Sequence, residues 1–346
     1  MTSPRQLGYH MPAEWEPHRA TWLAWPHNLE TWPNQLELVK KTWEEIVQAI
    51  SSEEEVCLLV NDEKTEAEAT ERLKNVGTVM KHLSIYRIPT VDTWIRDYGP
   101  TFITRGGAEK NLAFNDWVFN AWGQKYESFI QDGSVAKEIA GLLPVPVFES
   151  EMVLEGGSID VNGNGTCLTT EQCLLNSNRN PHLRRSEIEK TLGDYLGVDH
   201  FIWLGEGIVG DDTDGHVDDI ARFVNPTTVV CALEEDSKDE NYAPLQENYE
   251  RLQGATDQDG KKLTVVPLPM PGPVVFEGTR LPASYANFYI ANGVVLVPTY
   301  DHPNDSLALG ILQELFPDRK IFGIPSTPLV VGLGAIHCVT QQEPSV

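Results

Sequence analysis

One cysteine, one histidine and three carboxylates lie in short glycine-rich or acid-rich motifs that suit an active site. Cys338 ends the run Gly-Leu-Gly-Ala-Ile-His-Cys, and His216 and Asp218 share the run Gly-His-Val-Asp. Asp97 lies in Trp-Ile-Arg-Asp-Tyr-Gly-Pro, and Glu155 directly precedes two glycines. A thiolate is a strong nucleophile, histidine transfers protons near neutral pH, and carboxylates bind cations. Together these residues indicate nucleophilic chemistry on a small cationic substrate.

A guanidinium group is the cation that this set of side chains suits. It is planar and binds carboxylates in bidentate geometry, so we expect Asp97 and Asp218 to hold it. Resonance stabilises its central carbon, and hydrolysis therefore needs a strong nucleophile, for which the sequence offers Cys338. We expect His216 to protonate the departing ammonia and then to deprotonate water. Glu155 is expected to orient His216 or to raise its pKa by stabilising the imidazolium form.

The same acidic surroundings oppose ionisation of the thiol. A free cysteine has a pKa of about 8.5, and neighbouring carboxylates disfavour the thiolate further. A cation held between Asp97 and Asp218 would offset this repulsion. We therefore expect the bound substrate to assist the ionisation of Cys338.

Each motif taken alone also has a purely structural interpretation. Asp97 before Gly-Pro fits an Asx turn, and the two glycines after Glu155 fit a simple bend. His216 and Asp218 are two positions apart, so their side chains would point the same way in an extended strand. The acidic run 211–219 lacks the twelve-residue spacing of a calcium loop, and the sequence shows no zinc-site spacing. We expect neither a metal nor another cofactor.

The chain is strongly acidic. Its 346 residues include 26 Lys and Arg against 51 Asp and Glu, which gives a formal net charge of −25. Nucleic acid and anionic membranes need a basic surface, so neither is expected as a partner. The acidity either serves solubility alone or attracts a small cation. With 41% hydrophobic residues and no linker or low-complexity segment, residues 1–346 are expected to form a single catalytic domain.

Cysteine usage and the N-terminal sequence indicate a cytoplasmic location. The run Met1–His10 lacks an apolar signal segment, and no apolar run approaches the roughly 20 residues of a membrane span. The five cysteines, at positions 57, 167, 173, 231 and 338, form no Cys-x-x-Cys pair. Cys57 and Cys231 lie in apolar runs and are predicted to be buried core thiols. The sequence leaves open a homodimer or a higher homo-oligomer.

Positioning these residues requires a repeated arrangement of helices and strands. Apolar spacing predicts helices that start near residues 62, 134, 185, 241 and 304. Each helix leads into a short apolar strand, then a polar or glycine-rich turn and another apolar run. The predicted strands are Leu83–Ile88, Val145–Phe148, His200–Leu204, Leu263–Leu268 and Lys320–Ile324. Asn162-Gly163 separates two apolar runs and predicts a hairpin turn.

The candidate residues recur at one point of this repeat. Asp97 follows the first strand, Glu155 the second, His216 and Asp218 the third, and Cys338 the fifth. Such turns converge if the units surround an axis, which predicts a five-bladed, pseudo-symmetric α/β-propeller. A doubly wound α/β sheet is the alternative, but it does not explain this recurrence.

Seven motifs in order resemble the agmatine deiminase family, also called the Porphyromonas-type peptidylarginine deiminase family. They are Met11–His18, Trp94–Pro100, Glu155–Ile159, Asn176–Pro181, Thr213–Asp219, Pro282–Tyr289 and Gly334–Pro344. The resemblance implies the pentein fold of five α/β blades and no cofactor. It also implies that a guanidine becomes a ureido group, with release of ammonia, through an S-amidino intermediate.

The same resemblance assigns roles to individual residues. Cys338 corresponds to the family's nucleophile and His216 to its general acid and base. Asp218 corresponds to the aspartate of the Gly-His-x-Asp motif, Asp97 to that of the Arg-Asp-x-Gly-Pro motif, and Glu155 to the glutamate of the Glu-Gly-Gly motif.

The C-terminal motif departs from the family pattern Gly-Gly-Gly-Asn-Ile-His-Cys at two positions. Leu333 replaces a glycine and Ala335 replaces the asparagine. We expect the tail of the substrate near these positions, so the sequence determines the reaction type better than the substrate. Trp94 and Trp122 are candidate walls for an aliphatic or cationic tail, although tryptophan is also a frequent core residue.

The expected activity is hydrolysis of agmatine to N-carbamoylputrescine and ammonia, a step of putrescine and polyamine synthesis. Free arginine and peptidyl arginine are alternative substrates of the same chemistry, and an amidinotransferase would use the same nucleophile. A guanidinium-binding protein without turnover is an alternative of a different class. It would need only the carboxylates, so the presence of Cys338 together with His216 disfavours it.

Overall fold

The structure is a computed structural model that describes residues 2–106 and 111–346. Its helices are α1 Leu36–Ser51, α2 Glu63–Asn75, α3 Ile95–Tyr98, α4 Ala121–Gln124, α5 Val135–Ala140, α6 Glu171–Leu174, α7 Arg185–Leu196, α8 Tyr242–Gly254, α9 Asn304–Leu315 and α10 Thr327–Val330. Short 3-10 helices lie at Arg5–Leu7, Met80–His82, Glu127–Ser134, Gly156–Ser158, Val217–Asp219 and His337–Val339.

The strands are short and distributed along the whole described chain. They are β1 Tyr9–His10, β2 His18–Ala24, β3 Glu55–Val60, β4 Leu83–Arg87, β5 Thr101–Arg105, β6 Asn111–Val118, β7 Val147–Val153, β8 Asp160–Val161, β9 Thr166–Thr170, β10 His200–Leu204, β11 Ala221–Asn225, β12 Thr228–Leu233, β13 Thr264–Pro269, β14 Val275–Phe276, β15 Thr279–Arg280, β16 Tyr289–Ile290, β17 Val294–Thr299, β18 Lys320–Pro325 and β19 Gln341–Pro344.

The predicted elements are present at their predicted places. Helices α2, α5, α7, α8 and α9 begin at residues 63, 135, 185, 242 and 304, each within one residue of the predicted start. Strands β4, β7, β10, β13 and β18 follow these helices, as the apolar runs predict. The hairpin prediction is also confirmed, because β8 and β9 pair antiparallel across Asn162-Gly163. Gly163 has φ of 71°, a left-handed conformation that favours glycine.

Five of the sheets share one pairing scheme. The middle strands β2, β6, β9, β12 and β17 pair antiparallel with β19, β5, β8, β11 and β16 on one side. On the other side they pair parallel with β3, β7, β10, β13 and β18. Parallel neighbours need a crossover connection, and helices α1, α5, α7, α8 and α9 lie in these crossovers. Strand β1 extends one sheet beside β5, β4 extends another beside β3, and β14 with β15 forms a separate ribbon.

The core lies between the sheets and their helices. Helix α1 buries one apolar face that includes Trp43 and Ile46, and Trp43 Nε1 donates to the Ala24 carbonyl at 2.9 Å. Burying each such side chain contributes about 1.5–3 kcal/mol. The thiols of Cys57 and Cys231 are fully buried, as their apolar surroundings predict.

Five connectors position the candidate residues. We use this name for the segments between β4 and β5, β7 and β8, β10 and β11, β13 and β16, and β18 and β19. Each leads from the parallel-paired strand of one sheet to the antiparallel-paired strand of the next. In this order they carry Asp97, Glu155, His216, Asn287 and Cys338. Sequence reasoning left the fourth unit without a site residue, and the structure places Asn287 there.

The structure differs from two local interpretations of the sequence. His216 and Asp218 do not share an extended strand, because His216 directly precedes the 3-10 helix Val217–Asp219. Asp97 does not form a simple turn but lies inside the short helix α3. Among the described residues, every helix is too short or too polar to cross a bilayer.

Candidate active site

A pocket of about 300 Å³ lies where the connectors meet. Trp94, Asp97, Trp122, Leu333 and Cys338 all line this pocket. Four of them were predicted from the sequence as catalytic or substrate-binding residues, and the fifth is one of the two departures from the family pattern. The C-terminal segment is fixed beneath the pocket because β19 pairs with β2 directly after the cysteine.

Gly157 shows how closely three predicted residues approach one another. A Cβ atom at this position would lie 2.5 Å from His216 Nδ1, 2.9 Å from Asp97 Oδ1 and 3.0 Å from Asp218 Oδ2. Such distances leave no room for a side chain, so the backbone approach requires glycine. The side chains of His216, Asp97 and Asp218 therefore surround one point next to Glu155.

Asp97 is buried and held by two donors. Trp122 Nε1 donates to Oδ2 at 2.8 Å, and the Gly157 amide donates to Oδ1 at 3.0 Å. Burial, followed by the charges of Asp218 and Glu155, raises the pKa of Asp97 well above its usual range, although both hydrogen bonds act in the opposite direction. A second carboxylate in the same buried space thus makes a cation favourable there.

Cys338 lies in the short 3-10 helix His337–Val339 and is buried. Asn287 Nδ2 donates to its Sγ at 3.1 Å, and Asp218 Oδ2 lies 3.7 Å from Sγ. Burial raises the pKa of the thiol well above its usual range, and the charges of Asp218, Asp219 and Asp97 raise it further. Burial and these charges therefore favour the thiol form of the side chain.

His216 is buried in a neutral form. Neither ring nitrogen has a hydrogen-bond partner among the described residues, and Asp97 Oδ1 lies 3.7 Å from Nδ1. Burial lowers the pKa of His216 to about 3, against the opposing effect of the Asp218 charge. The expectation that Glu155 raises this pKa is wrong for the free site, because desolvation of the imidazolium outweighs the nearby carboxylates.

Glu155 is tied to an arginine instead of to the histidine. Arg179 Nε donates to Glu155 Oε1 at 2.7 Å, and both side chains are fully buried. Burial raises the pKa of Glu155 even though Arg179 lowers it. The second oxygen, Oε2, is buried without a partner among the described residues and is free to accept from a ligand.

One group in the described chain has the donor types of a metal site. Ligand atoms of Glu155, Cys173 and His216 lie within 4.8 Å of one another. The Arg179 guanidinium bound to Glu155 already supplies a positive charge at this position. It would repel a metal cation, so the arrangement fits a protein-only site better.

Sequence reasoning missed several residues behind the pocket. His337 lies between two carboxylates, with Nδ1 2.7 Å from Asp218 Oδ2 and Nε2 2.9 Å from Glu14 Oε2. Asn287 contacts the sulfur, and Arg179 binds Glu155. All of these residues lie inside the motifs that carry the family resemblance, and that was the available signal. No local spacing relates them to their partners.

The two tryptophans proposed as substrate walls, Trp94 and Trp122, differ in what fixes their position. Trp94 packs over Gly334, where a Cβ would lie 2.5 Å from the indole ring. Trp122 lies in the one-turn helix α4, whose backbone is left-handed, with φ of 54° at Trp122 itself. Leu333 also has a left-handed φ, of 70°, at a position where the family pattern has glycine. Ala335 is buried and does not line the pocket, so only Leu333 can change its wall.

Comparison with known proteins places the chain in one family. A family model described as Porphyromonas-type peptidyl-arginine deiminase matches residues 10–344. The agmatine deiminase of Medicago truncatula is 40% identical over 375 residues, covering 99% of this chain and 98% of that protein. The agmatine deiminase of Ectopseudomonas mendocina (strain ymp) is 39% identical over 367 residues, with the same coverage.

A solved structure agrees with these relatives. The agmatine deiminase of Enterococcus faecalis superposes with a TM-score of 0.92 at 37% identity, covering 99% of this chain and 98% of that one. The chain belongs to the Porphyromonas-type peptidyl-arginine deiminase family.

Proposed function

We propose that this chain hydrolyses agmatine to N-carbamoylputrescine and ammonia through an S-amidino intermediate on Cys338. The observation that carries this proposal is the charge of the pocket wall. The residues lining it include the carboxylates of Glu30, Asp97 and Asp212 and, among the described residues, no lysine or arginine. Agmatine carries a cation at each end, whereas free arginine adds an α-carboxylate that would meet these acids without a partner.

Binding places the guanidinium between Asp97 and Asp218. Asp97 lines the pocket, and the Oδ1 atom of Asp218 is buried without a hydrogen-bond partner among the described residues, so a planar cation beside Cys338 would find an acceptor oxygen on each. The free oxygen of Glu155 and the neutral His216 ring complete the surroundings. The aliphatic chain then extends past Trp94 and Trp122 towards the pocket opening.

The first half of the reaction forms the covalent intermediate. The bound cation favours the thiolate of Cys338, and His216 accepts the thiol proton because its imidazole is neutral. The sulfur attacks the central carbon and forms a C–S bond. The C–N bond to an amino group then breaks, His216 returns its proton to that nitrogen, and ammonia leaves.

The second half regenerates the thiol. His216 deprotonates a water molecule that attacks the amidino carbon, and the C–S bond breaks as the ureido carbonyl forms. The thiolate takes up the hydroxyl proton, and the proton on His216 passes to solvent. The net change is guanidinium plus water to a ureido group plus ammonium.

We further propose that the five sheets are the blades of a propeller within one catalytic domain of residues 1–346. The shared pairing scheme and the contribution of one site residue from each connector support this arrangement. A doubly wound fold would place the strands in one continuous sheet. Five buried thiols without a disulfide among the described residues also fit a reducing, cytoplasmic compartment, where the product enters putrescine synthesis.

The experiment that tests the function compares three substrates. Ammonia release is measured from agmatine, free arginine and an arginyl peptide, with Cys338→Ser as the inactive reference. We expect agmatine to be preferred over arginine by at least about tenfold in kcat/KM, which corresponds to about 1.4 kcal/mol. Equal turnover of arginine or of the peptide would contradict the substrate assignment, and silence on all three would contradict the reaction.

A further inference from the structure

The ring of His337 lies between two carboxylates behind the pocket. Its Nδ1 is 2.7 Å from Asp218 Oδ2, and its Nε2 is 2.9 Å from Glu14 Oε2. The ring is buried, and its backbone amide donates to Asn287 Oδ1 at 2.9 Å. The position of the imidazole is therefore fixed by contacts at both nitrogens and at the main chain.

The donor count at this ring determines its protonation. A neutral imidazole has one N–H donor, and an ionised carboxylate only accepts. Two short contacts to two carboxylates therefore need either an imidazolium or a protonated acid. Glu14 is surrounded by cations, with Arg222 Nη2 at 2.9 Å and Arg96 Nη2 at 3.5 Å, and it accepts from the Ile290 amide at 2.8 Å.

We propose that His337 is a doubly protonated positioning residue that, supported by Glu14, keeps Asp218 ionised and directs the free oxygen of Asp218 at the substrate. This role deepens the proposed function and rests on it, because the substrate group is the guanidinium. His337 touches neither the substrate nor the reacting carbon. It acts on the reaction through Asp218.

The two oxygens of Asp218 have different surroundings. Oδ2 is held by His337 Nδ1, whereas Oδ1 is buried and has no partner among the described residues. An unpartnered carboxylate oxygen is costly in a buried site unless a ligand binds it. Oδ1 is therefore the oxygen that receives a guanidinium N–H.

The charges around the cluster favour the imidazolium. The cations that face it are Arg96 and Arg222, and the acids besides Glu14 and Asp218 are Asp97, Asp160 and Asp219. The uncharged titratable neighbours are His216, Tyr289 and Cys338. Burial raises the pKa values of Asp97 and Asp219, so the charges nearest the ring are the carboxylates of Glu14 and Asp218, and a cation at His337 is attracted by both.

The carboxylate pKa values agree with this arrangement. Burial alone would raise the pKa of Asp218, but the hydrogen bond and charge of His337 hold it below its usual range. Burial likewise acts to raise the pKa of Glu14, and Arg222 and His337 hold it well below its usual range. With both carboxylates ionised, each of their contacts with His337 needs an N–H.

The first test reads the protonation of His337 without any substrate. The protein is labelled with isotopic nitrogen in its histidine rings, and the resonances of His337 are assigned by their loss in His337→Asn. At neutral pH we expect both ring nitrogens to carry a proton, because each faces a carboxylate oxygen that only accepts. A single protonated nitrogen would overturn the proposal.

The second test uses two replacements that separate hydrogen bonding from charge. The Asn amide in His337→Asn reaches the Nδ1 position and keeps a neutral bond to Asp218, whereas His337→Gln reaches the Nε2 position and loses that bond. The acid limb is the part of the pH profile in which kcat/KM for agmatine falls as the pH decreases. We expect its midpoint to shift to higher pH by about one unit in the Asn variant, because loss of a neighbouring cation raises the pKa of Asp218. The Gln variant should lose more activity, mainly through a higher KM.

His18→Gln is the matched control. His18 is also buried and faces a carboxylate and a carbonyl, with Nδ1 3.2 Å from Glu54 Oε1 and Nε2 2.7 Å from the Glu14 carbonyl. Its replacement should lower stability without moving the acid limb. If both His337 variants lose activity with an unmoved acid limb, His337 only packs and the proposal is wrong. If the wild-type protein does not turn over agmatine, the proposed function fails, and the resonance measurement still decides the state of His337.

Discussion

At the scale of single residues, burial at the site favours uncharged side chains. Burial raises the pKa values of Cys338 and Asp97, and burial lowers that of His216 to about 3. A guanidinium within about 4–6 Å favours the ionised forms of the thiol and the carboxylate. In the proposed mechanism, the bound guanidinium therefore favours the thiolate that attacks it.

This coupling predicts the reactivity of Cys338. Its alkylation by iodoacetamide should be slow at neutral pH and should rise only at a pH above the usual range of a cysteine. Guanidinium ion, which is too small to fill the pocket, should accelerate the reaction at fixed pH by lowering the thiol pKa. Sodium ion at equal ionic strength is the control. An unchanged or slower rate with guanidinium would contradict substrate-assisted ionisation.

The sequence predicted the residues that face the pocket better than those behind them. Asp97 lies two residues before Gly99 and Cys338 four residues after Gly334, and their chemistry is recognisable without a structure. The partners Arg179 and Asn287 are 24 and 51 positions away from the side chains they contact. Such contacts depend on how the connectors pack together, and no local spacing encodes them.

At the scale of elements, the connectors place the site and the glycines set its dimensions. Helix starts followed apolar periodicity closely, because burial of one helix face determines where a helix can begin. The left-handed backbone at Trp122 and Leu333 was not predictable, since residues with side chains adopt this conformation only when tertiary packing requires it. Local conformation at the pocket wall is therefore where sequence reasoning failed.

Gly157 gives a test at this scale. Gly157→Ala places a methyl group within 3.0 Å of His216, Asp97 and Asp218, so we expect kcat/KM for agmatine to fall by at least about a hundredfold. Gly310 in α9 is the matched control, because a Cβ there meets nothing within 4 Å.

The control substitution should stabilise the protein and leave its activity unchanged. Gly310→Ala should leave kcat/KM unchanged and raise the free energy of unfolding by about 0.5–1 kcal/mol, since alanine is the better helix former. Denaturant unfolding measures the second quantity. Full activity in Gly157→Ala would show that the three side chains do not form one site.

At the scale of the whole molecule, the repeated sheets position the site residues, and the net charge of −25 favours the approach of a cationic substrate. Three of the five connectors line the pocket, through Asp97, Thr213 and Cys338, and the acidic surface is expected to attract a cationic substrate towards it. The alternation of helices and strands was predictable because it is visible as periodicity along the chain. The depth of burial at the site was not, since it depends on contacts between distant units.

Long-range attraction predicts a dependence on salt. Raising the ionic strength from about 0.01 M to about 1 M shortens the screening length from about 30 Å to about 3 Å. We expect kcat/KM for agmatine to fall over this range through a higher KM, with kcat nearly constant. Sucrose of matched viscosity is the control for diffusion. A KM that does not respond to salt would show that the acidity serves solubility alone.

The central claim is that Cys338 carries the reaction through a covalent intermediate. It is tested most directly by acid-quenching the enzyme during turnover of agmatine and locating the adduct by peptide mass spectrometry. We predict an adduct on Cys338 with the mass of agmatine less ammonia, absent from Cys338→Ser. Ammonia release by the wild-type enzyme with an adduct on another residue, or its persistence in Cys338→Ser, would contradict the account.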